Sequence, residues 1–526
     1  VRRPLLLLLL FVGLWLPFLG KPVHIDDTNF LVLARGAVED PWRPHAALIN
    51  WQGHTERAFD VLSNPPGVGW WLAPLVALDA PVPLLHAWMG LWLPVALWGA
   101  RALGARFADR PDAAALLLVG SPIALLAAQS LTPDLPLLAC TLAGMGGLVR
   151  AGGRLHQRWP WALLLGAAAL FRYSGVALLP LVVLWAALHR DVRAAGVLGL
   201  AAATPLGLLL AHDLHAYGEL HLLAMTGFQG VSGGERDVFR KGVAALAMLG
   251  GAGVLPLLGL TRRGAGAGAR LGALLGALLG LGATALSFET WSVDHRLAAG
   301  LATVLATAAG GATLGACLPD RSREQRFLAL WLALGLAFFL ELRFMAARYW
   351  LPFFAPAALI PLRATPPRLL ALAVVITPAL GLALAIDDQR LAVAQQELAR
   401  RVASEGRGLF AGHWGWQSEL EAAGWTALEE DAPIPPGVLF ARSTVSWPQE
   451  PAGGCLQRIE TLEAPAVGWG PRIHSAEGAA NLHAFVVAGD PVIETYAPWT
   501  FARDPYDRVT LDRGCEGVDG REGAGR

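Results

Sequence analysis

Apolar residues along this chain come in long unbroken runs, separated by short connections rich in Arg, Trp, Pro and Gly, and neither single alternation nor a one-sided helical stripe dominates. A run that is apolar on every side has no aqueous face and reads as a helix buried in lipid, for which roughly 20 residues span the hydrocarbon. The pattern predicts about thirteen such helices, near 5–20, 82–99, 112–130, 134–149, 159–172, 174–189, 194–211, 242–260, 270–288, 297–317, 327–342, 349–362 and 367–386. Two polar connections are long. Residues 21–81 contain "NPPGVGWWLAPLVAL", too short to span and suited to lie along the interface. Residues 212–241 leave the bilayer as a lid-like loop around "GVSGGE". After 386 the pattern changes to short apolar stretches with Gly and Pro breaks, such as "GVLFARSTV" and "AFVVAGDPVIETYA". Residues 387–526 are therefore expected to form a folded α+β domain outside the membrane.

Composition agrees with the pattern. Of 526 residues 55% are hydrophobic and 16% charged, against about 25% charged in soluble domains, and the mean hydropathy is +0.47. The fold class is a polytopic α-helical membrane protein. A formal net charge of zero gives no bulk attraction for nucleic acid. The position of the basic residues is informative instead, because short cytoplasmic loops collect Lys and Arg. With Arg2 and Arg3 inside, the inner loops carry Arg101, Arg106 and Arg110; Arg150, Arg154 and Arg158; Arg190 and Arg193; Arg262, Arg263 and Arg270; Arg321, Arg323 and Arg326; and Arg363 and Arg368. The first apolar run lacks a small-residue cleavage site and reads as a retained helix. An odd number of spans then places the tail outside the cytoplasmic membrane, where Cys455 and Cys515 could form a disulfide.

On this threading, polar groups gather at the outer ends of helices. Asp26 and Asp27 follow the first span, "SNPPGVGWWL" lies in the same loop, "SLTPDLPLL" opens the fourth span, "FRYSGVALLPLV" joins the fifth and sixth, and "RFMAARYWLPFFAPAALIPL" joins the eleventh and twelfth. Taken singly, each has a structural explanation: Asp26, Asp27 and Asp134 could cap helices, and Arg172 and Arg348 could snorkel at the interface. Their shared side and their order resemble the GT-C class of integral-membrane glycosyltransferases, in particular bacterial relatives of protein O-mannosyltransferases and of the lipid A aminoarabinose transferase. In that class an acidic pair follows the first helix, an "HPP"-type motif comes next, and an "R-Y-x-L-P-x-x-P"-like segment comes late. Asn64 stands where His is usual, and Arg172 where relatives often have Lys.

The resemblance implies a polyprenyl-phosphate-linked sugar donor, an acceptor that is a protein, a glycolipid or an envelope polymer, and a place in the bacterial cytoplasmic membrane. It implies Asp26 as the catalytic acid-base residue, with Asp27 beside it to orient or to contact a divalent cation, the exchange of these two roles being the alternative. Displacing a sugar from a lipid phosphate requires a base for the acceptor's proton and cations for the leaving phosphate. Arg172 and Arg348 are the candidates for the phosphate, with Arg343 and Arg296 in reserve, while Asp134, Asn64, His24 and His54 are expected to position substrate. The competing class is a transporter or lipid flippase, which would place its binding groups near the midplane. No Walker A or dinucleotide-binding glycine pattern occurs, which disfavours nucleotide-driven chemistry.

Overall fold

The computed structural model describes residues 2–151, 154–229, 235–253, 266–317, 322–342, 344–486 and 496–516. Helices occupy every stretch in which the apolar runs predict one, although the described part of the eighth, Glu235–Gly251, stops short of the expected end. Five of the described helices are long and apolar enough to cross a membrane: Val82–Phe107, Val192–Tyr217, Gly266–Ser287, Arg296–Gly315 and Pro367–Ala403. Others are shortened or broken where the sequence supplies proline. The third predicted span is two pieces, Pro111–Leu118 and Pro122–Ala127, because Pro122 has no N–H to continue the ladder.

Small residues set the closest helix contacts. In Gly266–Ser287 and Arg296–Gly315, a Cβ added to Gly272 would lie 2.1 Å from the Gly311 carbonyl oxygen, and one added to Gly276 would lie 2.2 Å from that of Thr307. Four-residue spacing of small side chains lets two backbones touch, which is how helices associate in lipid. The opposite face of the first helix presents Leu271, Leu274, Leu275 and Leu278, all exposed, as lipid contact requires.

Several arginines of the loops expected on the inside are also structural. Arg101 pairs with Asp112 at 2.9 Å and Arg106 with Glu324 at 2.5 Å. Arg110 donates to the carbonyls of Leu362 and Thr365.

At the other end sits the C-terminal segment. The last long helix, Pro367–Ala403, runs without a break through residue 386, so its final turns belong to the tail. Leu398, Val402, Phe410, Trp416, Leu420 and Val509 make a separate core beneath a five-stranded sheet. The strand order is Thr426–Ala427, Gly408–Ala411, Leu439–Ser443, Asp507–Cys515, Cys455–Ala464. The first two pairings are parallel and the last two antiparallel. The expected α+β tail thus contains a β-α-β unit, since helix Trp414–Ala422 connects two parallel strands. Cys455 and Cys515 face each other across the last pairing and are disulfide-bonded.

Part of the tail returns to the helical body. Phe485 and Val486 pair with Met345 and Phe344, and the Ala347 N–H donates to the Leu482 carbonyl at 3.0 Å. Ile473, Leu482 and Tyr496 accordingly belong to the main hydrophobic core and not to the tail's own.

Candidate active site

Four helix ends meet on the tail side of the bundle, and each contributes one charged residue. Asp26 is the N-cap of helix Asp27–Glu39, yet its side chain makes no capping hydrogen bond. Its carboxylate is instead ion-paired with Arg348, which lies in the short 3-10 turn Ala347–Trp350. Arg348 Nε is 3.5 Å from Asp134 Oδ2, and Asp134 opens helix Asp134–Arg150 directly after Pro133. The other oxygen of Asp134 pairs with Arg172, which closes helix Leu155–Phe171 in an extended conformation. Thr132 Oγ1 donates to Asp134 at 3.0 Å, and the Arg172 guanidinium carbon lies 4.1 Å from the Tyr349 ring centre. A cation over an aromatic face at that distance is attracted to it and held flat.

Two carboxylates and two guanidiniums make this quartet formally neutral, as a desolvated cluster must be. Burial works against the charge on Arg348, but Asp26 and Asp134 outweigh it and hold the guanidinium above its ordinary value. Exposure separates the two acids. The Asp134 side chain is 1% exposed, whereas that of Asp26 is 21% exposed. Asp26 is thus the carboxylate that a molecule entering from outside can touch, and only its Oδ2 is engaged by Arg348. A carboxylate paired with one guanidinium, and joined through Asp134 to a second, can take a proton while the cations hold a phosphate.

Asp27 has a different environment. It is fully buried and accepts from the Leu131 N–H at 2.7 Å and the His24 N–H at 3.2 Å. Burial pushes its carboxyl up to about 7, against the pull of the Lys21 charge and of those two N–H groups. Asp27 therefore ties the first outer loop to the "SLTPD" loop. The same turn holds Ile25 at φ 47°, a left-handed conformation that a β-branched residue adopts only under constraint.

The remaining sequence candidates lie elsewhere. His24 Nε2 contacts Asp388 at 3.1 Å, on the far side of the Asp27 turn. His54 is half exposed and lies beside Glu429 and Glu430 on the tail. Asn64 contributes its carbonyl to His45 Nε2 at 3.0 Å, away from the quartet's ion pairs. Arg296 caps its own neighbourhood, donating to the Trp291 carbonyl at 3.0 Å and facing Glu289. Arg343 lies outside the described residues. Where a cation is expected, at Asp26 and Asp27, Arg348 pairs with one oxygen of Asp26 and backbone N–H groups donate to both oxygens of Asp27.

A group that can hold a metal ion does exist nearby, formed by His24, Asp388 and His483. Sequence reasoning missed two of the three. "AIDDQR" places Asp387 and Asp388 just past the last apolar run, as Asp26 and Asp27 follow the first, and that symmetry was the available signal. Asp387 anchors the tail by accepting from the Ile473 N–H and the Tyr506 hydroxyl, both at 2.9 Å.

No protein-family model and no curated protein matches the chain. Among solved structures it is similar to ArnT from Cupriavidus metallidurans. The apo state gives 17% identity over 79% of this chain and 84% of that one, with a TM-score of 0.39. The form bound to undecaprenyl phosphate gives 17% identity over 84% and 93%, with a TM-score of 0.43. It is also similar to the arabinofuranosyltransferase AftD from mycobacteria, with 14% identity over 98% of this chain and 40% of that one and a TM-score of 0.38.

Proposed function

We propose that this chain is an inverting glycosyltransferase of the GT-C type, moving a sugar from a polyprenyl-phosphate donor to an acceptor at the outer face of the bacterial cytoplasmic membrane. The observation that carries the proposal is the quartet itself. Asp26, Arg348, Asp134 and Arg172 are far apart in sequence, converge at helix ends on one side of the bundle, and leave Asp26 as the accessible acid.

The roles follow from charge and access. The acceptor hydroxyl enters from the aqueous side, and its oxygen attacks the anomeric carbon as Asp26 takes the proton. The bond from that carbon to the phosphate oxygen breaks, and the phosphate leaves with the electron pair. Arg348 and Arg172 hold the phosphate as its charge grows, which lowers the barrier because the donors are already in place. Asp134, buried between the two guanidiniums, fixes their planes. A single displacement without an enzyme-bound sugar inverts the anomeric centre. A flippase is less well matched, because its charged groups would be expected at broken helices near the midplane, not at helix ends. The acceptor is a protein, a glycolipid or an envelope polymer.

Purified protein in detergent with a polyprenyl-phosphate-linked sugar tests the donor class. Wild type is expected to bind the lipid and to release free polyprenyl phosphate when envelope acceptors are added. Absence of lipid binding, or binding that survives replacement of both Arg172 and Arg348 by Ala, would contradict the reading.

A further inference from the structure

The quartet does not use the buried ionisable cluster on the other side of the Asp27 turn. His24, Asp388 and His483 come from the first outer loop, the middle of the last long helix and the returning segment of the tail, and all three are buried. His24 Nε2 is 3.1 Å and His483 Nε2 3.0 Å from the same oxygen, Asp388 Oδ1. The three donor atoms lie within 4.8 Å of one another. A zinc ion bound at about 2.0–2.1 Å by nitrogen and oxygen in a tetrahedron needs donors about 3.3 Å apart. The observed N to O separations are two edges of such a tetrahedron, slightly contracted.

Lys21 is the alternative explanation of this cluster. Its ammonium, fully buried, pairs with the other oxygen of Asp388. That pair alone would neutralise Asp388, and the two imidazoles would then be mere donors to a carboxylate already matched in charge. Two further buried rings at hydrogen-bonding distance from the second oxygen of an already paired carboxylate exceed what neutralisation requires. Lys21 also sits where a ligating carboxylate is ordinarily held by a hydrogen-bond donor from outside the ligand set. Both rings present Nε2 to the shared point, Asp388 Oδ1. Neutral imidazole is the ligating form.

We propose that His24, Asp388 and His483 form a three-ligand site for a zinc-class divalent ion that joins the tail to the first outer loop, with Lys21 supporting the carboxylate and the fourth vertex left to solvent. The site goes beyond the transferase reading and does not depend on it. It would act on the chemistry indirectly, by fixing the loop that carries Asp26.

The test uses the full chain purified in detergent without chelator or histidine tag. Wild type is expected to carry about one zinc per chain, and after chelation to take up cobalt(II) with the visible absorption of a four-coordinate site. His483→Ala and His24→Ala should each reduce zinc occupancy tenfold or more, while His54→Ala, which removes the half-exposed histidine beside Glu429 and Glu430, should leave it unchanged. Wild type without zinc and without a cobalt spectrum overturns the proposal, and these measurements need no variant to fold. Loss of the metal in His54→Ala with retention in His483→Ala overturns it as well, because the ion would then belong to the surface.

Discussion

Asp26 and Asp27 are adjacent, identical in chemistry and opposite in circumstance. Asp26 keeps one oxygen on Arg348 and is partly exposed, whereas Asp27 spends both oxygens on backbone N–H groups in the interior. Asp26→Asn is therefore expected to lower sugar transfer by about a thousandfold with little change in unfolding temperature, since general-base contributions are about 10²–10⁴. Asp27→Asn should show the reverse emphasis. It withdraws an acceptor from a buried N–H, a loss of roughly 1–3 kcal/mol, readable as a lowered thermal midpoint beside a smaller loss of rate. Arg172→Lys should raise the KM for the lipid donor about tenfold, because a point charge neither forks onto a phosphate nor lies flat on Tyr349. The sequence marks the acids and arginines, since charged residues at the rim of apolar runs are few. Which acid of the pair is accessible depends on Leu131 and Arg348, more than a hundred positions away, and nothing local reveals it.

At the scale of elements, the site is held by close contacts between the tail and the first outer loop. Helix Trp414–Ala422 begins against Val23, and a Cβ on Gly415 would lie 2.1 Å from the Val23 carbonyl oxygen, with Thr28 donating to the Trp414 carbonyl at 2.8 Å. Gly415→Ala should cost roughly 1–3 kcal/mol of stability, as overpacking does, and should lower activity although residue 415 touches no substrate. The tail's sheet also carries a pH signature. Burial raises the Asp507 carboxyl from 3.8 to about 6, so the folded state favours its protonated form. Its contribution to stability is present below pH 4 and lost as pH rises through about 6. Buried His413, lowered to about 4, has the opposite sign over the same window. Unfolding midpoints measured between pH 4 and 7 should therefore differ between wild type and Asp507→Asn by an amount that grows in the variant's favour as pH rises. Helix positions were legible because long apolar runs admit few alternatives. The β-α-β unit was not, because strands of two to five residues carry too little periodicity to distinguish parallel from antiparallel pairing.

For the whole molecule, the tail is joined to the helical body through Ile473, Leu482 and Tyr496 in the main core and through the pairing of Phe485 and Val486 with Met345 and Phe344. The Cys455–Cys515 bond closes a loop of 60 residues, worth about 2–4 kcal/mol in general, and persists only in an oxidising compartment. Thiol labelling of the unreduced, denatured chain should therefore modify Cys140 and Cys317 alone, and prior reduction should lower the unfolding temperature. The most direct test of the central claim is transfer of labelled sugar from polyprenyl-phosphate donors to envelope acceptors, with wild type and Asp26→Asn compared in membranes at equal expression. Labelling is expected to require the protein and to collapse in the variant while the lipid donor still binds. Transfer at the wild-type rate by Asp26→Asn, or no transfer by the wild type with any donor, would contradict that claim.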